Sequence, residues 1–208
     1  TLDGTLNKKI LGGNAVLSVS LAICEATAVS LKLPLYSYVA QISGNSAALK
    51  IPTPTFNLIN GGKHGAGNLD FQEFHVIPTQ RKTYSEGLEI GEEIYQTIKD
   101  VLIYRGAVHS VGDEGGFAPN LFTNLDALEI LTQAISQTPH KFGEDVFLGL
   151  DVAASTFYKD GKYSIKDRSQ PFSREELIEY YQDLNKNYKL LYLEDPIDED
   201  DWGGWQEI

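Results

Sequence analysis

Two short apolar runs in this chain each end in a carboxylate: Val146 to Leu150 leads into Asp151, and Leu190 to Leu193 leads into Glu194. Runs of that length and composition suit strands buried on both faces, so each acid would stand at the carboxyl end of a strand. Two hard oxygen donors on neighbouring positions of one rim could hold Mg²⁺, which prefers oxygen ligands and keeps water in its remaining positions. A lone strand-end acid more often only bonds to loop amides. Its repetition on two strands favours ligands. A third acid, Glu114, lies in Gly112-Asp113-Glu114-Gly115-Gly116, a segment too rich in glycine for a helix and pliant enough to bring a carboxyl group to a substrate. To deliver a proton near neutral pH, that group needs its pKa raised by burial or by a second carboxylate, and Glu73 is the candidate neighbour. The alternative is an exposed acidic turn. The loop Gly61-Gly62-Lys63-His64-Gly65-Ala66-Gly67 lacks a Ser or Thr after its lysine and has no helix directly behind it, so it is not a P-loop. It suits a lid, with His64 either serving the site or simply solvated.

The elements that must position these groups follow from periodicity. Asn14 to Leu31 places Leu17, Leu21, Cys24, Ala28 and Leu31 at steps of three and four, the stripe of a buried helix that Pro34 ends. The polar stretch from Ser43 to Ala48 suits a domain boundary. Ile51 to Asn60 and Leu69 to Ile77 read as extended segments too close for a helical crossover, which predicts antiparallel pairing. A helix over 83–105 would turn Tyr84, Leu88, Ile94, Ile98, Val101 and Leu102 inward. Another opens on a capping box of Thr123 with Asp126 and carries Leu128, Leu131 and Ile135. Between the two acid-ending strands, Asp160-Gly161 predicts a hairpin, and Ser173 with Glu176 caps a helix that buries Leu177, Tyr181, Leu184 and Tyr188. The order is strand, strand, helix, helix, strand, helix, strand. Such alternation predicts an α/β barrel, the architecture that gathers chemistry at the carboxyl ends of its strands. Four strands do not close a barrel. The chain, which starts at Thr1, contains no methionine and stops at Ile208, is expected to be a fragment whose remaining strands follow Ile208.

Composition narrows the partners. With 42% hydrophobic residues in 208, the chain can bury a domain-sized core. A formal net charge of -12, from 29 acidic against 17 basic residues, argues against nucleic acid. No apolar run is expected to approach membrane-spanning length, and no basic start precedes one, so a membrane partner is not expected. The single cysteine, Cys24, cannot pair within the chain, which suits a reducing cytoplasm.

Taken together, Asp3-Gly4-Thr5 with Asn7-Lys8, Gly13 to Ala22, Asn60-Gly61-Gly62-Lys63-His64, Gln72-Glu73-Phe74, Gly112 to Gly116 and Glu194-Asp195-Pro196 resemble the enolase family in order and spacing from one end of the chain to the other. The resemblance implies that residues 1–49 are the C-terminal part of an α+β N-terminal domain. Residues 50–208 would be the first half of a TIM-like barrel. It implies a lyase that interconverts 2-phosphoglycerate and phosphoenolpyruvate with Mg²⁺ in glycolysis and gluconeogenesis, working as a cytoplasmic homodimer. Sites of that superfamily are known to pair a lysine or histidine base with one or two Mg²⁺ ions that hold the ene-diolate. By this resemblance Asp151 and Glu194 bind metal, Glu114 is the general acid with Glu73 beside it, and His64, Gln72, Glu73 and Glu194 contact substrate. The lysine base and a third metal carboxylate are expected beyond Ile208, so these 208 residues alone are expected to be inactive. Ser155-Thr156-Phe157 departs from the family's usual Ser-Glu-Phe, and Val152 stands where cysteine is frequent. Two other readings compete: a barrel of the wider superfamily with a different carboxylate substrate, and a non-catalytic enolase-like binding or structural protein. The lid residues argue against the first. The presence of every acid this segment should supply argues against the second.

Overall fold

The computed structural model describes residues 2–45, 49–63, 65 and 68–208. It divides into two compact units, Thr1–Lys50 and Ile51–Ile208. The first unit holds helices α1 (Gly13–Ser30) and α2 (Leu35–Ile42), with Pro34 at the N-cap of α2. The expected buried stripe of α1 is not observed. Only Ala28 is buried, while Leu17, Leu21 and Leu31 are each more than half exposed. The physical reason is that two helices and a loop contain no sheet or third layer against which such a stripe could be covered. A second expectation also fails. α1 is long and apolar enough, by length and composition, to cross a membrane, since Glu25 is its one charged residue. The same composition fits a helix that packs within a domain.

The second unit runs β1 (Phe56–Asn60), β2 (Glu73–Pro78), α3 (Tyr84–Tyr104), α4 (Asn124–Ser136), β3 (Val146–Asp151), the hairpin β4 (Tyr158–Lys159) and β5 (Lys162–Tyr163), α5 (Arg174–Tyr188), β6 (Leu190–Glu194) and a single turn α6 (Gly204–Glu207). Asp160 and Gly161 turn the hairpin with φ of 51° and 78°, as a two-residue loop of this kind requires. Thr83 with Glu86, Thr123 with Asp126 and Ser173 with Glu176 all form reciprocal capping boxes, which fix where α3, α4 and α5 begin.

The main sheet has the order β1-β2-β3-β6 and is open. β1 with β2 and β2 with β3 are antiparallel, and β3 with β6 is parallel. One face is apolar: Phe74, Val76, Leu148 and Leu150 join Ile94, Ile98, Leu102, Leu128, Leu131 and Ile135 in a core that α3 and α4 cover. On α3 the inward residues are Gly87, Ile90, Gly91, Ile94, Ile98, Val101 and Leu102, whereas Tyr84 and Leu88, expected inside, are about half exposed. The stripe therefore runs through the glycines, because Gly91 lies where the Phe56 ring crosses the helix and a Cβ there would come within 2.6 Å of it. On α5, Leu177, Tyr181 and Leu184 are buried as expected, and Tyr188 is half-buried. β6 is less buried than its apolar sequence predicts. It forms one edge of the open sheet, with Leu191 and Tyr192 exposed.

Candidate active site

The other face of the sheet collects the polar residues, and strand direction explains how. β2 runs opposite to β3, so the first residue of β2 reaches the same rim as the last residue of β3. Cross-strand pairing then sets Asn60, Glu73, Asp151 and Glu194 side by side in one row across all four strands. A second row holds Asn57, His75, Gly149 and Tyr192, two residues deeper on β2, β3 and β6 and three on β1, where a bulge shifts the register between Asn57 and Ile59. On β2, β3 and β6 both rows face one way because side chains alternate along a strand, and on β1 the bulge makes up the odd spacing.

Carboxylates in adjacent register positions repel one another, and the surroundings show how this sheet meets the repulsion. Asp151 is buried, and burial first and the Glu194 charge second push its carboxyl above the usual carboxylate range. The Gln72 amide opposes that rise by donating from Nε2 to Asp151 Oδ2 at 2.9 Å, and the Ala153 amide donates to Oδ1 at 3.2 Å. Glu194 Oε2 accepts from the Tyr192 hydroxyl at 2.7 Å, a bond that helps push the tyrosine up to about 12.

The second carboxyl pair is Glu73 with Glu114. The turn that carries Glu114 is stitched to the end of β1: the Asn60 amide donates to the Phe117 carbonyl, Phe117 donates to Leu58, and Gly112 donates to Gly116. Gly115 takes a φ of 89°, and a Cβ on Gly116 would lie 2.3 Å from Asn60 Oδ1, so the turn can settle over Asn60 only as glycine. Glu114 is exposed, and its carboxylate accepts from Asn57 Nδ2 at 3.2 Å. It lies within hydrogen-bonding reach of Glu73. The Glu73 carboxyl is raised above the usual carboxylate range: burial is the largest cause, the bond to His75 opposes it and the neighbouring Glu114 adds to it.

Gln72, Glu73, Glu114, Asp151 and Glu194 are therefore drawn to one rim. Lys63 and Gly65 of the expected lid line a recess with Gly112 and Asp113 of the glutamate turn. His64 lies outside the described residues. Among the described residues, no group of three His, Cys, Asp or Glu side chains is close enough to hold a metal ion. Asp151 and Glu194 are two half-enclosed, mutually repelling oxygen donors, and that donor chemistry fits a hard divalent cation.

Sequence reasoning missed His75, Tyr192 and Asn60. His75 is 5% exposed, and its Nε2 lies 2.7 Å from Glu73 Oε2. Asn60 is 1% exposed with neither amide atom hydrogen-bonded among the described residues, which leaves it able to bond a water or a ligand. The available signal was the alternation Glu73-Phe74-His75, which puts both polar residues on one face of β2.

A mixed, open α/β sheet with carboxylates along its strand-end rim and capped helices behind it is consistent with an incomplete barrel of the TIM type. The comparisons narrow this further. Residues 48–208 match the enolase C-terminal TIM barrel domain, and residues 1–39 match the enolase N-terminal domain. The chain belongs to the enolase family.

Proposed function

We propose that the intact protein catalyses the reversible dehydration of 2-phosphoglycerate to phosphoenolpyruvate, with Mg²⁺ as cofactor, in glycolysis and gluconeogenesis. The observation that carries this reading is the row Glu73, Asp151 and Glu194 on adjacent strands, with Glu114 in reach of Glu73.

The reaction makes two demands. Removing a proton beside a carboxylate adds charge to a group that is already anionic, and the hydroxide that leaves next is a poor leaving group. Asp151 and Glu194 would hold Mg²⁺, whose charge offsets the negative charge that accumulates on the substrate carboxylate. Gln72, fixed by its bond to Asp151, presents an amide beside that position. Glu114 is the acid that protonates the departing hydroxyl, on a turn that can approach substrate while its attachment to β1 keeps it over Glu73. Burial and the neighbouring Glu114 raise the Glu73 pKa, which favours a proton on that carboxyl. His64 and the lid would close over substrate and exclude water. A cytoplasmic homodimer completes the proposal, carried by family membership.

The test is direct. The intact protein supplied with 2-phosphoglycerate and Mg²⁺ should release phosphoenolpyruvate, and chelating the metal should stop it. Absence of turnover in a folded, Mg²⁺-loaded sample would instead support a non-catalytic enolase-like protein.

A further inference from the structure

The glycine-rich loop after β1 returns to β2 through residues 68–71, and a buried polar cluster to which the proposed chemistry gives no task fastens this stem. Asn124, the first residue of α4, is 0% exposed. Its Oδ1 accepts from two successive amides of the stem, Asp70 N at 3.1 Å and Phe71 N at 3.0 Å. Its Nδ2 donates to Asp167 Oδ1 at 3.3 Å, and its own backbone N–H donates to the same oxygen at 2.7 Å. Asp167 Oδ2 accepts in turn from the Tyr180 hydroxyl of α5 at 2.5 Å. One side chain thus joins the stem, the start of α4 and the segment before α5, which lie far apart in the chain.

Other groups share in holding the stem. Asn68 donates to the carbonyls of Pro119 and Leu121, the Lys166 N–H donates to Asp70 Oδ2 at 2.7 Å, and Phe71 is buried in the core. Apolar burial sets the depth of the stem without setting the direction of its peptide planes, because the hydrophobic effect is non-directional. Hydrogen bonds do have direction, and the two that end on Asn124 orient successive peptide units just ahead of Gln72. Filling space gives no reason for an amide at so buried a position, since a polar group there is costly unless it is bonded. Its bonds to the stem and to Asp167 give one. Gln72 is then held from the β3 side, by its N–H on the Asp151 carbonyl at 2.9 Å and by Nε2 on Asp151 Oδ2 at 2.9 Å.

We propose that Asn124 is a positioning residue for Gln72: by fixing the peptide planes at Asp70 and Phe71 it sets the angle at which the chain enters β2 and so aims the Gln72 amide at the substrate position beside Asp151. The assignment rests on the dehydration reading above, in which Gln72 contacts substrate. Without the shared acceptor the two peptide units are free to turn, and the Asp151 bonds then hold Gln72 from one side only. Small misplacements at a reacting centre carry large rate penalties.

The test compares Asn124→Ala with Tyr180→Phe in the intact protein. Alanine removes the oxygen that both stem amides share, whereas phenylalanine removes a hydroxyl from the same buried cluster without touching the stem. Asn124→Ala is expected to speed hydrogen exchange at the Asp70 and Phe71 amides by about 10-fold or more and to lower kcat/KM for dehydration by about 10-fold to 100-fold. Tyr180→Phe should keep slow exchange at both amides and kcat/KM within about 2-fold of wild type, even where its melting temperature falls as far. Asn124→Ser, whose hydroxyl stops one bond short of the Oδ1 position, gives the same reading where the alanine variant does not fold. Wild-type kcat/KM in the Asn124 variant would overturn the proposal and leave the dehydration reading standing. Exchange at Asp70 and Phe71 as slow as in wild type would overturn it too, because the stem would then not depend on Asn124. Equal losses of kcat/KM in the Asn124 and Tyr180 variants would also overturn it, by marking the cluster as a support for the whole fold. A wild-type protein with no dehydration activity would remove the dehydration reading and the Asn124 assignment with it.

Discussion

The rim of the sheet carries two carboxyl pairs built from the same chemistry, and their settings separate them. Asp151 and Glu194 end two parallel strands, so the backbone ladder holds their spacing. Their hydrogen-bond partners, the Gln72 amide and the Tyr192 hydroxyl, bring no charge. Glu73 and Glu114 come from a strand and an exposed glycine turn, with His75 bonded to one and Asn57 to the other. A rigid pair of hard oxygens suits a cation. A pair with one member on a strand and one on an exposed turn, with the strand member's pKa raised, suits proton transfer. The lesson is that the number of acids says less about their work than the backbone that carries each one.

The largest expected effect comes from removing a rigid acid. In the intact protein, Asp151→Ala or Glu194→Ala should abolish turnover and weaken Mg²⁺ binding while folding is largely kept, because each removes a rim ligand and leaves the apolar face intact. Calorimetric titration with Mg²⁺ checks this, and unchanged affinity in both variants would assign the rigid pair some other role.

The strand-and-turn pair should fail differently. Glu114→Gln should lower dehydration by about 10² to 10⁴ or beyond, since hydroxide leaves so poorly without an acid. Exchange of the carbon-2 proton should persist, because that step belongs to a separate base. Incubation in deuterated water, followed by measurement of label at carbon 2 and of phosphoenolpyruvate, separates the two steps. Equal loss of exchange and product would show that Glu114 serves the geometry of the first step.

A subtler contrast lies in pH. Burial and Glu194 raise the Asp151 pKa in the folded state, so as pH climbs the unfolded chain releases this proton first. The stability carried by protonated Asp151 is complete below the ordinary carboxylate range and is lost as pH rises through the folded value. Metal-free Asp151→Asn should accordingly be more stable than the parent at neutral pH, and the difference should vanish in acid. Urea titrations at several pH values measure it. A constant difference would mean that the effect is not ionisation.

The smallest effect is a control on both pairs. Thr123→Ala removes the cap of α4 on the opposite side of the sheet and should cost about 1 kcal/mol of stability, with kcat unchanged. A fall in kcat would show that the rim depends on the packing behind it.

How much of this was legible beforehand can be judged residue by residue. The capping boxes at Thr123 and Ser173, the Asp160-Gly161 turn and the two acid-ending strands follow from local chemistry, because a cap or a two-residue turn is satisfied within a few residues of itself. The rim acids Asp151 and Glu194 were readable for the same reason: position at a strand's end is a local property. His75, Asn60 and Tyr192 were not, since their importance exists only in cross-strand register, between residues far apart in the chain. The same limit explains the errors on α1, Leu88 and β6. Periodicity says which residues could share a face, but whether that face is covered depends on which elements stack against it. Sequence determined the elements, their order and the kinds of acid available. Tertiary structure decided that antiparallel β2 would deliver Glu73 to the rim where β3 and β6 end, and that a histidine would lie beneath it.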